Sequence, residues 1–314
     1  MEYFKSTLLY LKNFLFRLEN LFFLKIKKIF FILHLFTLIF LTAIFSSSFA
    51  AFIPFLPALH SHNEQKMFSR LSSFLDACDS ITPEMKEKAI QKIIDFEKDF
   101  KITPTNEAKT LRNLFFAVQE TFLKEYVLYA SFFQTIEKGK YDCLTGSLLY
   151  AIFLEEMKQK GSFEYTYQLI QLPTHVFVKI KLTDKSEIIF ESTSFEKGFI
   201  ATPKAIEFYL QQQNQEAQKN LQEENTLVLT NKKLNNLLTF ENAAALLYFN
   251  QAVLFFDQRK FGKTLIMAKK AFYLQKSEIF YKLIQLSLQE LLKNNYITEN
   301  EYKINTESFS FISN

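Results

Sequence analysis

The chain opens with a stretch in which apolar and polar positions are not interleaved. From Ile29 to Asn63 there is no Lys, Arg, Asp or Glu, and Ile29 to Phe52 is nearly all Phe, Leu and Ile. A spanning helix needs about 20 apolar residues to cross about 30 Å of hydrocarbon, so a transmembrane helix or signal anchor is expected over 29–55. Lys5, Lys12, Arg17, Lys25, Lys27 and Lys28 precede it against only Glu2 and Glu19. The positive-inside rule then keeps 1–28 in the cytoplasm and places the body outside, in a periplasm or cell envelope. A cleaved export signal, with small Ser48 and Ala50 before a cut at Ala51, is the alternative and also exports the body. His34, near the start of the span, is expected to snorkel or stay neutral.

Pro54, Pro57 and His60-Ser61-His62-Asn63 end the apolar run, and from Glu64 the period becomes helical. Met67, Leu71, Phe74 and Leu75 fall on one face, and Thr82-Pro83-Glu84 signals the start of a helix running toward Asp99. Thr103-Pro104 is expected to open another, buried along Leu111, Leu114, Phe115, Val118 and Phe122 and continuing to about Gln134. After the turn Glu137-Lys138-Gly139-Lys140, Cys143 to Lys158 reads as a helix apolar on nearly every face, which belongs in a core. Tyr165 to Gln171, Val176 to Leu182 and Glu187 to Ser192 read as strands, the last two as a hairpin. Beyond Pro203 the chain returns to helix. Residues 211 to 236 read as a solvated helix and loop, and a final helical region runs from Glu241 to about Asn294.

Composition narrows the classes. With 48% hydrophobic and 22% charged residues and only 5 Gly and 6 Pro, the chain is globular and rich in long helices rather than disordered. The net charge of +4 is accounted for by residues 1–28. The body is therefore neutral, which argues against nucleic-acid binding. Two cysteines make no disulfide framework, and neither they nor His60 and His62 have ligand spacing for a metal, so no metal or organic cofactor is expected.

Candidate chemistry lies in 136 to 200. Cys143 sits at the start of its helix, where free N–H groups and the macrodipole favour a thiolate, and Gly146 and Ser147 one turn on permit close approach. His175 opens the first hairpin strand, sharing a polar parity with Phe177, Lys179 and Lys181, while Val176, Val178, Ile180 and Leu182 face the core. If Ile188 and Phe190 share that core face, the hairpin loop holds an odd number of residues, for instance Thr183-Asp184-Lys185. His175 and Glu191 then become diagonal cross-strand neighbours. The expected roles are nucleophile for Cys143, base for His175 and orienter for Glu191. Cys78 is expected to be inert packing, with a Cys78 to Cys143 disulfide as the alternative, and Gln134 is a candidate second oxyanion donor.

The segments YDCLTGSLLYAIFLEE (141 to 156), PTHVFVKIKL (173 to 182) and IIFESTSFEKGF (188 to 199) resemble the transglutaminase-like branch of the papain-like cysteine enzymes. That resemblance implies an α+β fold, helices with a small antiparallel sheet, and Glu191-Ser192-Thr193 where the family often has Asp-x-Thr. Tyr248, Ala252, Phe255, Phe261 and Ala271 resemble a tetratricopeptide helix pair, departing at Thr264 and Lys276. The expected organisation is 1–28 basic segment, 29–55 membrane helix, 64–205 transglutaminase-like domain, 206–240 polar helical linker, 241–294 tetratricopeptide-like region and 295–314 polar tail. The expected function is a membrane-anchored, outward-facing cysteine hydrolase or acyltransferase acting on peptide or carboxamide bonds of a peptide or protein substrate. The alternative is a non-catalytic envelope module binding a protein or peptide partner through the same fold and the C-terminal helices.

Overall fold

Local capping starts the helices. Thr82 accepts from Met85 N–H ahead of Pro83–Asp99, and Asn106 does the same for Lys109 ahead of Glu107–Phe122. The computed structural model describes residues 62–102, 106–161, 163–222 and 236–307, all in the unit that begins at His62. In chain order the elements are α1 (His62–Leu75), α2 (Pro83–Asp99), α3 (Glu107–Phe122), β1 (Glu125–Tyr126), α4 (Phe132–Lys138), β2 (Lys140–Tyr141) and α5 (Cys143–Gln159). They continue with β3 (Tyr165–Gln171), β4 (Val176–Leu182), β5 (Glu187–Phe190), β6 (Phe199–Ile200), α6 (Pro203–Gln222) and β7 (Asn236–Leu238). Helices α7 (Phe240–Asp257), α8 (Phe261–Leu274), α9 (Glu278–Lys293) and α10 (Glu299–Glu307) complete the described chain.

Strands β6-β5-β4-β3-β7 form an antiparallel sheet in that order, and β1 and β2 form a short parallel pair. Val178 pairs with Phe190 and Ile180 with Ile188. Leu182 N–H reaches Ser186 O at 2.9 Å, closing a loop of Thr183, Asp184 and Lys185 with Lys185 at φ 70°. This is the odd-numbered loop that the two aliphatic rows require. One sheet face packs on α5, whose Leu148, Tyr150 and Ala151 are fully buried, and Phe115 stacks on Tyr150 with ring centroids 5.4 Å apart. Burying one such aromatic contributes on the order of 2 to 3 kcal/mol.

Three elements differ from their expectation. Helix α3 ends at Phe122, because Ser131 and Gln134 form a capping box that starts α4 separately. The apolar positions that continue past Phe122, at Leu123, Val127, Leu128, Phe132 and Phe133, conceal that signal. Phe177 and Ile189, on the supposedly polar face, are 1% and 0% exposed, since Ile206 and Tyr209 of α6 cover them. The face stays open only further along, where Lys179 pairs with Glu187 at 2.9 Å and Lys181 is exposed. Strand β5 ends at Phe190, where Glu191 N–H turns to Gly198 O at 2.8 Å.

The molecule is α+β, mostly helical with a small antiparallel sheet, and among the described residues no helix is long and apolar enough to cross a membrane. Apolar α5 has 17 residues, about 25 Å at 1.5 Å each, whereas α6, with 20, is mostly Gln, Asn, Glu and Lys. This corrects the fold class that included a spanning helix. The expected span at 29–55 and the helix start at Thr103-Pro104 lie outside the described residues. Membrane anchorage, the outward location and the membrane as partner have no described helix to rest on and are not carried further. The C-terminal helices are also corrected as a partner surface, because the buried alanines 243–245 and Ala252 of α7 pack into the same core as α5.

Candidate functional site

Strand β2 delivers the chain to Asp142, whose extended backbone and side chain cap α5. Its Oδ1 accepts from Thr145 N–H at 2.8 Å, and its own N–H donates to Thr145 Oγ1 at 3.0 Å. Cys143 therefore occupies the first helical position and is half-buried. The start of α5 is tied to β4 and to the turn that follows β5. Ser147 Oγ donates to Val176 O at 2.9 Å, and Ser192 Oγ donates to Cys143 O at 3.5 Å. Gly146 makes that approach possible, since a Cβ there would lie 2.7 Å from Ser192 Cβ. Gln119 Nε2, from α3, donates to Ser192 O at 2.8 Å.

His175 stands where Leu172 N–H reaches its carbonyl at 2.8 Å, immediately before β4. Its Nε2 is 2.6 Å from Glu191 Oε2, which leaves Nδ1 outside that contact, and Cys143 is close enough to act on the ring. Burial opposes a charge on this ring. The hydrogen bonds to Cys143 and Glu191, with their negative charge, overcome it and raise His175 to about 10. Glu191 is 6% exposed, and burial pushes its carboxyl up, but His175, Thr193 and Tyr209 outweigh that and hold it below the usual range. Oε1 accepts from Thr193 N–H at 2.9 Å and from Thr193 Oγ1 at 2.6 Å, while Oε2 also accepts from the Tyr209 hydroxyl.

The three candidate residues thus meet, and the sequence reading assigned no role to several of their neighbours. Tyr209 lies in the stretch 206–240, expected to be a polar helical linker, although Ile206 and Tyr209 share a face at i, i+3 spacing. Tyr126 sits on β1 beside Tyr141, ring centroids 6.0 Å apart. Burial, and then the charge of Cys143, Asp142 and Glu191, push its hydroxyl up to about 12. Asn250 of α7 donates to Asp142 Oδ2 at 3.5 Å, and Gln251 to Tyr129 O at 2.8 Å. Nothing in local spacing links these to Cys143.

Other expectations resolve plainly. Cys78 and Cys143 are both free. Burial pushes the Cys78 thiol up, and Ser131 Oγ contacts its sulfur at 3.6 Å. Gln134 is committed elsewhere, its side-chain carbonyl accepting from Ser131 N–H at 2.9 Å within the α4 capping box. Surface hollows lined by Tyr296 and Glu301, and by Glu84 and Lys88, include none of the site residues and carry no argument about it.

Asp142 is 2% exposed, and burial raises its carboxyl to about 6 despite bonds from Thr145, Leu144 and Asn250. The folded state therefore binds more protons than the unfolded chain between about pH 3.8 and 6, and stability from this group falls as pH rises through that window. Asp142→Asn keeps a capping oxygen, and Asn250 can turn its amide to match. Chemical denaturation at pH 4 and pH 7 should show the variant gaining on the parent by up to about 3 kcal/mol at the higher pH. An unchanged difference between the two would show that the charge is not buried at a cost.

No protein-family model matches the chain, and no curated protein matches it. Among solved structures the chain is similar to menin at 12% identity and TM-score 0.31, over 72% of this chain and 55% of that one. The printed description of that structure is that it reveals the menin binding site for Mixed Lineage Leukemia protein. The chain spans about half of menin's length, and a likeness at this score carries no argument. The membrane-anchored hydrolase or acyltransferase reading, with its envelope-binding alternative, is corrected on these findings. Among the described residues there is neither a spanning helix nor a group of three or more His, Cys, Asp or Glu that could hold a metal ion, and no relative supplies an activity.

Proposed function

We propose that Cys143, His175 and Glu191 form a reactive-thiol site, in which the Cys143 sulfur makes a covalent bond to an electrophilic carbon of a bound compound. The Sγ–C bond forms as the carbon's bond to its leaving group breaks and that group departs with the electron pair, while the proton given up by the sulfur is held on His175 as an imidazolium that Glu191 balances. The observation that carries this reading is the division of labour at His175. One ring nitrogen is held at 2.6 Å by a carboxylate with donors on both oxygens, the other lies outside that contact, and Cys143 acts on the same ring. A merely structural histidine does not need a carboxylate so fully engaged. The order of nucleophile on a helix start, histidine before a strand and acid after the next agrees with the transglutaminase-like resemblance, which belongs to the same proposal.

The test compares the two thiols of one chain. With iodoacetamide at less than one equivalent and pH 6.5, peptide mass spectrometry should find the adduct on Cys143 in large excess over Cys78, whose thiol is pushed up by burial. Equal labelling of the folded protein would sink the proposal.

A further inference from the structure

We propose that Tyr209 is a positioning residue of this site, its hydroxyl holding Glu191 Oε2 charged and aimed at His175. This rests on the reactive-thiol reading. Thr193 is two residues from Glu191 and anchors only Oε1, at 2.9 and 2.6 Å. A carboxylate fixed at one oxygen still swings the other, and Glu carries one more torsion than Asp, so Oε2 needs a second anchor. Tyr209 supplies it from α6, and the contact is buried. The Tyr209 ring also stands edge-on to Phe177, centroids 5.3 Å apart, and Phe177 stacks on His175 at 6.3 Å. One side chain therefore restrains the acid through its hydroxyl and the imidazole through a second ring.

The hydroxyl is a permanent donor, because burial, reinforced by the Glu191 charge, pushes its ionisation far above the usual phenol range. The other titratable groups facing Glu191 are His175, Tyr126, Tyr141 and Tyr150, with Cys143 and Glu216 also acting on Tyr209. The three tyrosines are themselves raised, so between pH 4 and 8 they remain neutral. Removing a donor from a charged carboxylate raises its affinity for a proton. Glu191 then neutralises at higher pH and stops supporting the imidazolium.

The experiment is the pH dependence of Cys143 alkylation by iodoacetamide in the full chain. Tyr209→Phe keeps the ring on Phe177 and removes only the hydroxyl. The acidic limb of the rate curve should move up by about half to one pH unit, a three- to tenfold loss of rate at fixed acid pH. In a Glu191→Gln background the same change should add no shift, which a merely structural tyrosine does not predict. Tyr165→Phe removes a hydroxyl bonded to Leu154 O, away from the site, and should lower stability while leaving the limb in place. A Tyr209→Phe curve superimposed on the parent, with His175→Ala still slow, overturns the role of Tyr209 and leaves the thiol site standing. A His175→Ala curve superimposed on the parent removes the thiol site and the role of Tyr209 with it. Should Tyr209→Phe fail to fold, the Tyr209 13Cζ resonance decides. Movement on Glu191→Gln supports the contact, and no movement overturns it.

Discussion

Replacing His175 by alanine should slow alkylation of Cys143 at pH 6 by about a hundredfold or more. The thiolate is the reacting species, and a free cysteine is almost wholly protonated at that pH. In the folded protein His175 is raised to about 10, so at pH 6 it stands in the site as the imidazolium that Glu191 balances. Alanine removes that charge. It also strips one donor from Glu191, a buried acceptor that keeps Thr193 and Tyr209.

The effect on stability has a defined pH window. A group raised in the folded state contributes fully below its unfolded value of 6.5 and loses that contribution as pH rises through about 10. The stability gap between parent and His175→Ala should therefore be widest below pH 6 and narrow toward pH 10. Stopped-time labelling read by mass spectrometry, with urea denaturation at three pH values, measures both. Equal rates for parent and variant at pH 6 would show that His175 does not act on the thiol.

Gly198→Ala should be the most damaging small substitution in the described chain, lowering stability by about 3 kcal/mol or more. An added Cβ at Gly198 would lie 2.1 Å from Glu191 O, 2.3 Å from Ser194 O and 2.7 Å from Phe115 Cζ. Two of these are backbone atoms of the turn that carries Glu191, and they cannot rotate aside. The turn is also closed by Glu191 N–H to Gly198 O at 2.8 Å, so relief of the clash displaces the acid itself. At about 2 to 4 °C per kcal/mol for a chain of this size, the melting temperature should fall by roughly 6 to 12 °C. Cys143 labelling should slow as well, because Glu191 leaves His175.

Gly262→Ala is the matched contrast. Nothing lies within 4 Å of a Cβ at this position in the first turn of α8. It should be neutral or stabilising by up to about 1 kcal/mol. Thermal unfolding followed by circular dichroism compares the pair, and a parent-like melting temperature for Gly198→Ala would refute the packing argument.

Much of the site was legible because its parts are local. Thr82-Pro83 opens α2 through a contact three residues away, and the aliphatic rows of β4 and β5 set their own register through the odd loop at 183–185. That register brings His175 and Glu191 into hydrogen bond at 2.6 Å, and the helix beginning at Cys143 sets that residue close enough to act on His175. The helix expected to run on to Gln134 stops at Phe122, a difference that arises because hydrophobic periodicity does not show where a helix stops. The capping box at Ser131 does, but it lies inside the expected helix.

Sequence alone determined the order of elements around Cys143 and singled out His175 and Glu191 near it, since periodicity, caps and turn residues act over a few positions. Tertiary structure alone decided what holds those residues in place. Tyr209 reaches Glu191 only because α6 folds back over Phe177 and Ile189, and Asn250 reaches Asp142 across 108 residues of chain. A polar side chain carries no local mark of a distant partner, and both the burial that raises Asp142 and the contacts that outweigh burial at His175 and Glu191 come from elements packed by the whole fold.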